Sequence, residues 1–239
     1  MNGEAGHMSL EGLTLVKRGK TKDVYKSPDD NTVVLVFKDD ATGKDGVFDP
    51  GENQVGLTIQ GMGVSSLRMS GFFFQRIGQL GIPTHMVSFD ESENTMTVLP
   101  AQLFSHGLEC VCRCVATGSF IRRYGLYARE GQILHHLFEV TVKDDDRGDP
   151  LITEDSLVEL GILKAGEYGV LRDYTQRITG LIAGILLQKG IVLYDIKYEF
   201  GKHDNKIVLI DEISAGSMRC YKDGVQLDPI TLAKLILAG

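Results

Sequence analysis

Asp195-Ile196-Lys197-Tyr198-Glu199-Phe200-Gly201 decides the reading of this 239-residue chain. The apolar run Gly190-Ile191-Val192-Leu193-Tyr194 leads into it, and Ile207-Val208-Leu209-Ile210-Asp211-Glu212 follows. Alternate side chains of a strand point the same way, so Asp195, Lys197 and Glu199 share one face while Ile196, Tyr198 and Phe200 share the other. Gly201-Lys202-His203-Asp204-Asn205 tolerates left-handed backbone, which predicts a hairpin. The returning strand is expected to bring Asp211 level with Asp195 and Lys197. Carboxylates crowded at one place repel unless a cation holds them. An oxygen-rich site with spare coordination suits Mg²⁺ carrying nucleotide phosphates.

Outward from this hairpin, residues 167–189 show apolar side chains at three- and four-residue steps, the mark of a long helix, with Gly190 as its stop. Shorter helices are predicted over 157–163 and 231–237, and another over 70–80, ended by Gly81-Ile82-Pro83. Strands are predicted over 13–24, 32–37, 86–89, 95–99, 110–115 and 134–142, and a long Gly-rich loop over 38–66. The pattern gives an α+β chain, β-rich in its first half and mixed in its second, with a nucleotide cleft between the halves.

Gly19-Lys20-Thr21 is not a Walker A loop, because Thr14 stands where that motif needs glycine. A Gly-rich hairpin laid over phosphates fits better, with Lys20 and Lys22 on one strand face. Arg113, followed by Thr117-Gly118-Ser119, makes a second anion-binding point, and Arg219, downstream of the Asp211-Glu212 pair, a third.

Net charge of −7 argues against general nucleic-acid binding. No apolar run reaches the roughly 18 residues of a membrane span, and no secretory signal is visible, so a cytoplasmic chain is expected. Met1 to Met8 read as a cloning remnant. Cys110, Cys112 and Cys114 alternate along a strand, about 6.6 Å apart, too wide for a tetrahedral zinc site; with Cys220 they are expected to be reduced core thiols. The six histidines show no metal spacing.

With these segments in hand, the chain resembles the phosphoribosylaminoimidazole-succinocarboxamide synthase (SAICAR synthetase) family. The landmarks fall in that family's order: Gly19-Lys20-Thr21-Lys22-Asp23-Val24-Tyr25, Phe37-Lys38-Asp39-Asp40, Gly81-Ile82-Pro83-Thr84, Glu109 to Ser119 with its Arg113…Gly118-Ser119 signature, Lys143, Asp149-Pro150, the 195–201 heptad, and Asp211-Glu212 with Arg219. The resemblance implies an ATP-dependent ligase of purine biosynthesis. Such an enzyme joins carboxyaminoimidazole ribonucleotide (CAIR) to L-aspartate through an acyl phosphate. It also implies a two-domain fold distantly like ATP-grasp enzymes and kinases. The nucleotide-binding domain would span 9–104, and the domain with the metal and ribonucleotide sites 105–239.

By positional match the resemblance assigns Gly19, Lys20, Thr21, Lys22, Val24, Leu103, Ser105, Lys143, Glu199 and Asp211 to ATP. It assigns Arg113, Ser119, Lys197 and Arg219 to CAIR, and Asp195, Glu199 and Asp211 to Mg²⁺. Lys22, Lys197 and Asp211 would be catalytic. A homodimer is implied. Ala215-Gly216-Ser217-Met218 replaces a Pro-Asp-x-Ser pattern common in the family before the arginine. The same cleft chemistry would serve an ATP-dependent kinase of a small metabolite, which needs no aspartate. A non-catalytic nucleotide-binding module would be expected to lack one of the metal carboxylates or phosphate lysines.

Overall fold

The computed structural model describes residues 12–28 and 31–238; the segment read as a cloning remnant lies outside them. β1 (Thr14–Arg18) and β2 (Lys22–Lys26) are separated by a tight turn, not run together as one strand. The Gly19 N–H donates to the Lys22 carbonyl at 2.9 Å. A Cβ on Gly19 would fall 2.3 Å from that oxygen, so glycine is what lets the turn close. Lys20 therefore sits at the tip while Lys22 opens β2, and the shared strand face expected for them does not form.

After β3 (Val33–Phe37), the predicted loop folds. β4 (Asp40–Lys44), β5 (Val47–Phe48) and β6 (Val55–Thr58) make a small antiparallel sheet. Helix α1 (Met62–Gln79) then begins well before residue 70. Its first turn is held by the Asp39 carboxylate, which accepts from Gly61 N–H (3.0 Å) and Gly63 N–H (2.9 Å). β7 (Met86–Asp90) and β8 (Thr95–Val98) complete a five-stranded antiparallel sheet of order β1-β2-β3-β8-β7.

The second half contains β9 (Gln102–Leu103), β10 (Leu108–Val115), α2 (Ser119–Tyr124), β11 (Ile133–Val142), α3 (Glu154–Glu159) and α4 (Glu167–Leu187). It continues with β12 (Val192–His203), β13 (Lys206–Ile210), β14 (Met218–Lys222), β15 (Val225–Gln226) and α5 (Pro229–Leu237). The sheet runs β11-β10-β12-β14-β15, with β13 and β9 also paired to β12. The mixed α/β architecture agrees with the sequence reading.

Alternation along β12 separates two chemistries. Ile196, Tyr198 and Phe200 are buried in the core, and the Tyr198 hydroxyl lies 2.8 Å from Thr179 Oγ1 of α4. Cys110, Cys112 and Cys220 are also buried, and all four cysteines are free thiols. Burial pushes Cys112 up to about 11 and Cys114 up to about 12, so both are protonated at neutral pH.

Helix packing and a backbone seam are among the contacts that join the halves. α5 packs against α1. Residues 83–85 run beside β13: Thr84 bridges Leu209, Leu209 N–H donates to Pro83 O (2.9 Å), and His85 N–H donates to Leu209 O (2.9 Å). A single buried cluster includes Leu35 and Phe73 from the first half and Ile178 and Leu232 from the second.

Candidate active site

The charged face of the second sheet and the β1–β2 turn enclose a cavity of about 730 Å³. Gly19, Lys20, Thr21, Lys22, Val24, Lys143, Lys197, Glu199 and Asp211 line it, with Leu35, Phe37 and Met62 as apolar wall. Lys22 is only 8% exposed. Its ammonium pairs with Asp211 Oδ1 at 3.1 Å and with Glu212. Burial works against this charge, but Asp211 and Glu212 outweigh it and hold the pKa above the ordinary lysine value. Glu212 is in turn held by the Ser214 hydroxyl.

Lys143 donates to Glu199 Oε1 at 2.6 Å, and Lys20 to Asp145 Oδ2 at 2.7 Å on the exposed rim. Glu199 is pushed above the usual carboxylate range, first by burial and then by the charge of Asp211, with Lys143 opposing. Asp211 goes the other way: burial would raise it, but Lys22 and Lys143 hold it below that range. Lys143 pairs with Glu199, and Lys22 is shared between Asp211 and Glu212. Behind Asp211, the buried His85 ring is kept at about 4 by burial, so it is neutral.

A second cavity of about 350 Å³ adjoins the first. Glu109, Lys197 and Asp145 line both. Its floor is a row of directly opposed residues across three strands, Arg113, Asp195 and Arg219. Arg113, 3% exposed, spends all three guanidinium nitrogens. It donates to Glu139 Oε2 (2.6 Å), Asp195 Oδ2 (3.0 Å) and Ser119 Oγ (2.9 Å). Arg219 donates to Asp195 Oδ2 (2.8 Å) and, through Nε and Nη2, to Asp49 Oδ1 (3.2 and 2.8 Å). Gly51 makes room for this contact, since a Cβ there would fall 1.8 Å from Arg219 Nη2. At the boundary between the cavities Lys197 donates to Glu109 Oε1 at 2.9 Å, and that carboxylate outweighs burial to raise the lysine's pKa.

The structure thus brings Arg113, Ser119 and Arg219 together, and separately Lys22, Lys143, Glu199 and Asp211. It does not gather Asp195, Glu199 and Asp211 around one point. β12 pairs Glu199 with Ile210, so Asp211 sits level with the Glu199 end of the strand, not with Asp195 and Lys197 as expected. Asp195 is instead clamped between two arginines. Among the described residues no three His, Cys, Asp or Glu side chains are arranged to hold an ion. Leu103 and Ser105 lie outside the wall of the larger cavity, whereas their neighbour His106 is part of it. Leu103 is taken up by pairing with Gly201.

The sequence reading gave no site role to Glu109, Glu139, Asp49 or His85. For Glu109 and Glu139 a signal existed: Glu109 alternates with Arg113 along β10, and Glu139 follows the same two-residue rule on β11. Asp49 and His85 reach the site only through long-range contacts.

The model of the family described as SAICAR synthetase matches residues 15–229. The chain belongs to the SAICAR synthetase family. A phosphoribosylaminoimidazole-succinocarboxamide synthase of Clostridium tetani is 53% identical over 227 residues, covering 94% of this chain and all of that protein. A SAICAR synthetase solved in complex with ADP superposes with a TM-score of 0.80 at 28% identity, over 93% of this chain and 97% of that one. The SAICAR synthetase of Pyrococcus horikoshii gives 0.78 at 28% identity, over 91% and 98%. The chain is an ATP-dependent ligase by that membership, and both cavities lie within residues 15–229.

Proposed function

We propose that the chain uses ATP to join the carboxylate of CAIR to the amine of L-aspartate. The observation that carries this reading is the pair of adjoining cavities with Lys197 and Glu109 on their shared wall. The larger has the volume of a nucleotide site and a lysine-rich end beside an apolar wall. The smaller has the Arg113–Ser119–Arg219 constellation suited to a phosphorylated, carboxylated substrate.

A bare carboxylate is a poor electrophile. In the first step a CAIR carboxylate oxygen bonds to the γ-phosphorus of ATP and the bond to ADP breaks. In the second, the aspartate amine attacks the acyl carbon, phosphate leaves with the carbon–oxygen electron pair, and the amine loses its proton. Lys20, Lys22 and Lys143 neutralise the triphosphate. Lys197, at the junction, faces the charge that develops on the transferring phosphoryl group. Arg113, Ser119 and Arg219 hold the ribonucleotide.

Mg²⁺ fits this site. Glu199 and Asp211 are neighbouring, partly exposed carboxylates on the wall of the larger cavity, and Mg²⁺ is usually held by one or two carboxylates plus substrate phosphates. These two residues would hold it, and the ion would supply charge neutralisation at the phosphates. Asp195 is assigned to orienting Arg113 and Arg219. The same reading makes the enzyme a cytoplasmic homodimer with ATP gripped between residues 9–104 and 105–239.

ADP release measured with CAIR, with and without L-aspartate, tests the proposal. The expected result is turnover that requires aspartate and yields an amide. Steady ADP release without aspartate, with a stable phosphorylated product, would identify a kinase instead.

A further inference from the structure

Asp211 presents its carboxylate from a backbone conformation that few side-chain-bearing residues adopt. Its φ is +66°, in the left-handed region, directly after β13 ends at Ile210. An L-residue stays there only where its surroundings over-determine it. One contact falls on the turn itself: His85 Nε2 lies 3.2 Å from the Asp211 carbonyl oxygen. A carbonyl only accepts, so Nε2 carries the proton and donates.

His85 is unusually well fixed for this task. The residue is 4% exposed, and its ring meets Phe74 edge-on, with centroids 5.6 Å apart and planes at 78°. Its N–H donates to Leu209 O at 2.9 Å, and its carbonyl accepts from Leu99 N–H at 2.7 Å. His85 is therefore held from both halves of the chain, by Phe74 and Leu99 on one side and by the Leu209 carbonyl on the other, and its ring donor reaches Asp211 in the second half.

We infer that His85 is a positioning residue, whose Nε2–H bond to the main chain of Asp211 fixes the left-handed turn that aims this carboxylate at Lys22 and the metal–nucleotide. This rests on the reading of Asp211 as a metal-holding group. Removing a group that orients a metal-binding side chain typically costs about 10- to 100-fold in metal affinity. His85→Phe keeps the ring volume against Phe74 and deletes the donor, whereas His85→Asn and His85→Gln retain an N–H.

The test is calorimetric titration of the full chain with ADP, with and without Mg²⁺. His85→Phe is expected to weaken Mg²⁺-dependent ADP binding about 10- to 100-fold, leave Mg²⁺-free binding and the circular dichroism unchanged, and be partly rescued in the Asn or Gln variant. Wild-type affinity in folded His85→Phe, or an equal loss with and without Mg²⁺, would overturn the inference. Asp211→Asn separates the two levels. If it loses the Mg²⁺ response and His85→Phe does not, the His85 role alone falls; if it keeps the response, the metal role of Asp211 falls and takes the inference with it. NMR of the wild-type histidines needs no variant: an Nε2–H tautomer at His85 supports the bond, and an Nδ1–H tautomer overturns it.

Discussion

Lys22 and Glu199 show how far single side chains in this cleft are held from their solution behaviour. Lys22→Met would leave the buried Glu212 and its partly exposed neighbour Asp211 without their cation. Removing one partner of a buried ion pair costs about 3–5 kcal/mol, so urea unfolding should show a loss of that size, with nucleotide binding lost as well. Glu199 gives the opposite sign. Burial and the charge of Asp211 raise its pKa in the folded chain. A carboxyl raised on folding stabilises the fold below its unfolded value of about 4.3, and that contribution disappears as pH climbs through the folded value. Above the folded value the ionised Glu199 therefore costs stability. Glu199→Gln is expected to raise the melting midpoint of the ligand-free protein, by about 2–4 °C for each kcal/mol recovered. It should also abolish the Mg²⁺ dependence of ADP binding. A midpoint unchanged or lowered at every pH above the unfolded carboxyl value would contradict this account.

Among the elements, the β1–β2 turn is the most demanding. Gly19→Ala drives a Cβ into the Lys22 carbonyl, and strain of about 1–3 kcal/mol should appear both in unfolding and as weaker ATP binding; unchanged values in both would show that the turn relaxes freely. Its glycine was visible in the sequence, but the turn was not, because polar lysines on both sides read as a continuous strand. The β12–β13 hairpin and α4 were legible, since each carries its own period, two for the strands and 3.6 for the helix. β4 to β6 were not, because they pair only with one another across Gly-rich stretches, and the cap of α1 comes from Asp39, outside the helix. The same limit applies to the site. Lys22, Arg113, Ser119 and Arg219 could be named from the chain. The separation of Asp195 from Asp211 could not, because it depends on the register that sets Glu199 against Ile210.

At the scale of the whole molecule, segments from the two halves meet across the cavities. Asp49 of the first half holds Arg219 of the second, and Asn53 donates to Asp149 nearby. On the proposed role of Arg219, an incoming phosphate competes with the Asp49 carboxylate. Asp49→Asn is expected to tighten CAIR binding about two- to fivefold, the equivalent of ~0.5–1 kcal/mol for a partly exposed ion pair; weaker binding would make Asp49 a ligand instead of a competitor. The seam of residues 83–85 along β13 has a different consequence. Its backbone hydrogen bonds run between the buried Leu209 and His85 and do not depend on charge, whereas Lys20 meets Asp145 in water, where such a pair contributes little. If the two jaws part to exchange nucleotide, they swing about the seam as a pivot. Asp211 lies next to that pivot and travels least, and Lys20 at the tip travels furthest. The mouth then yields to ionic strength while the hinge end keeps its alignment from one turnover to the next.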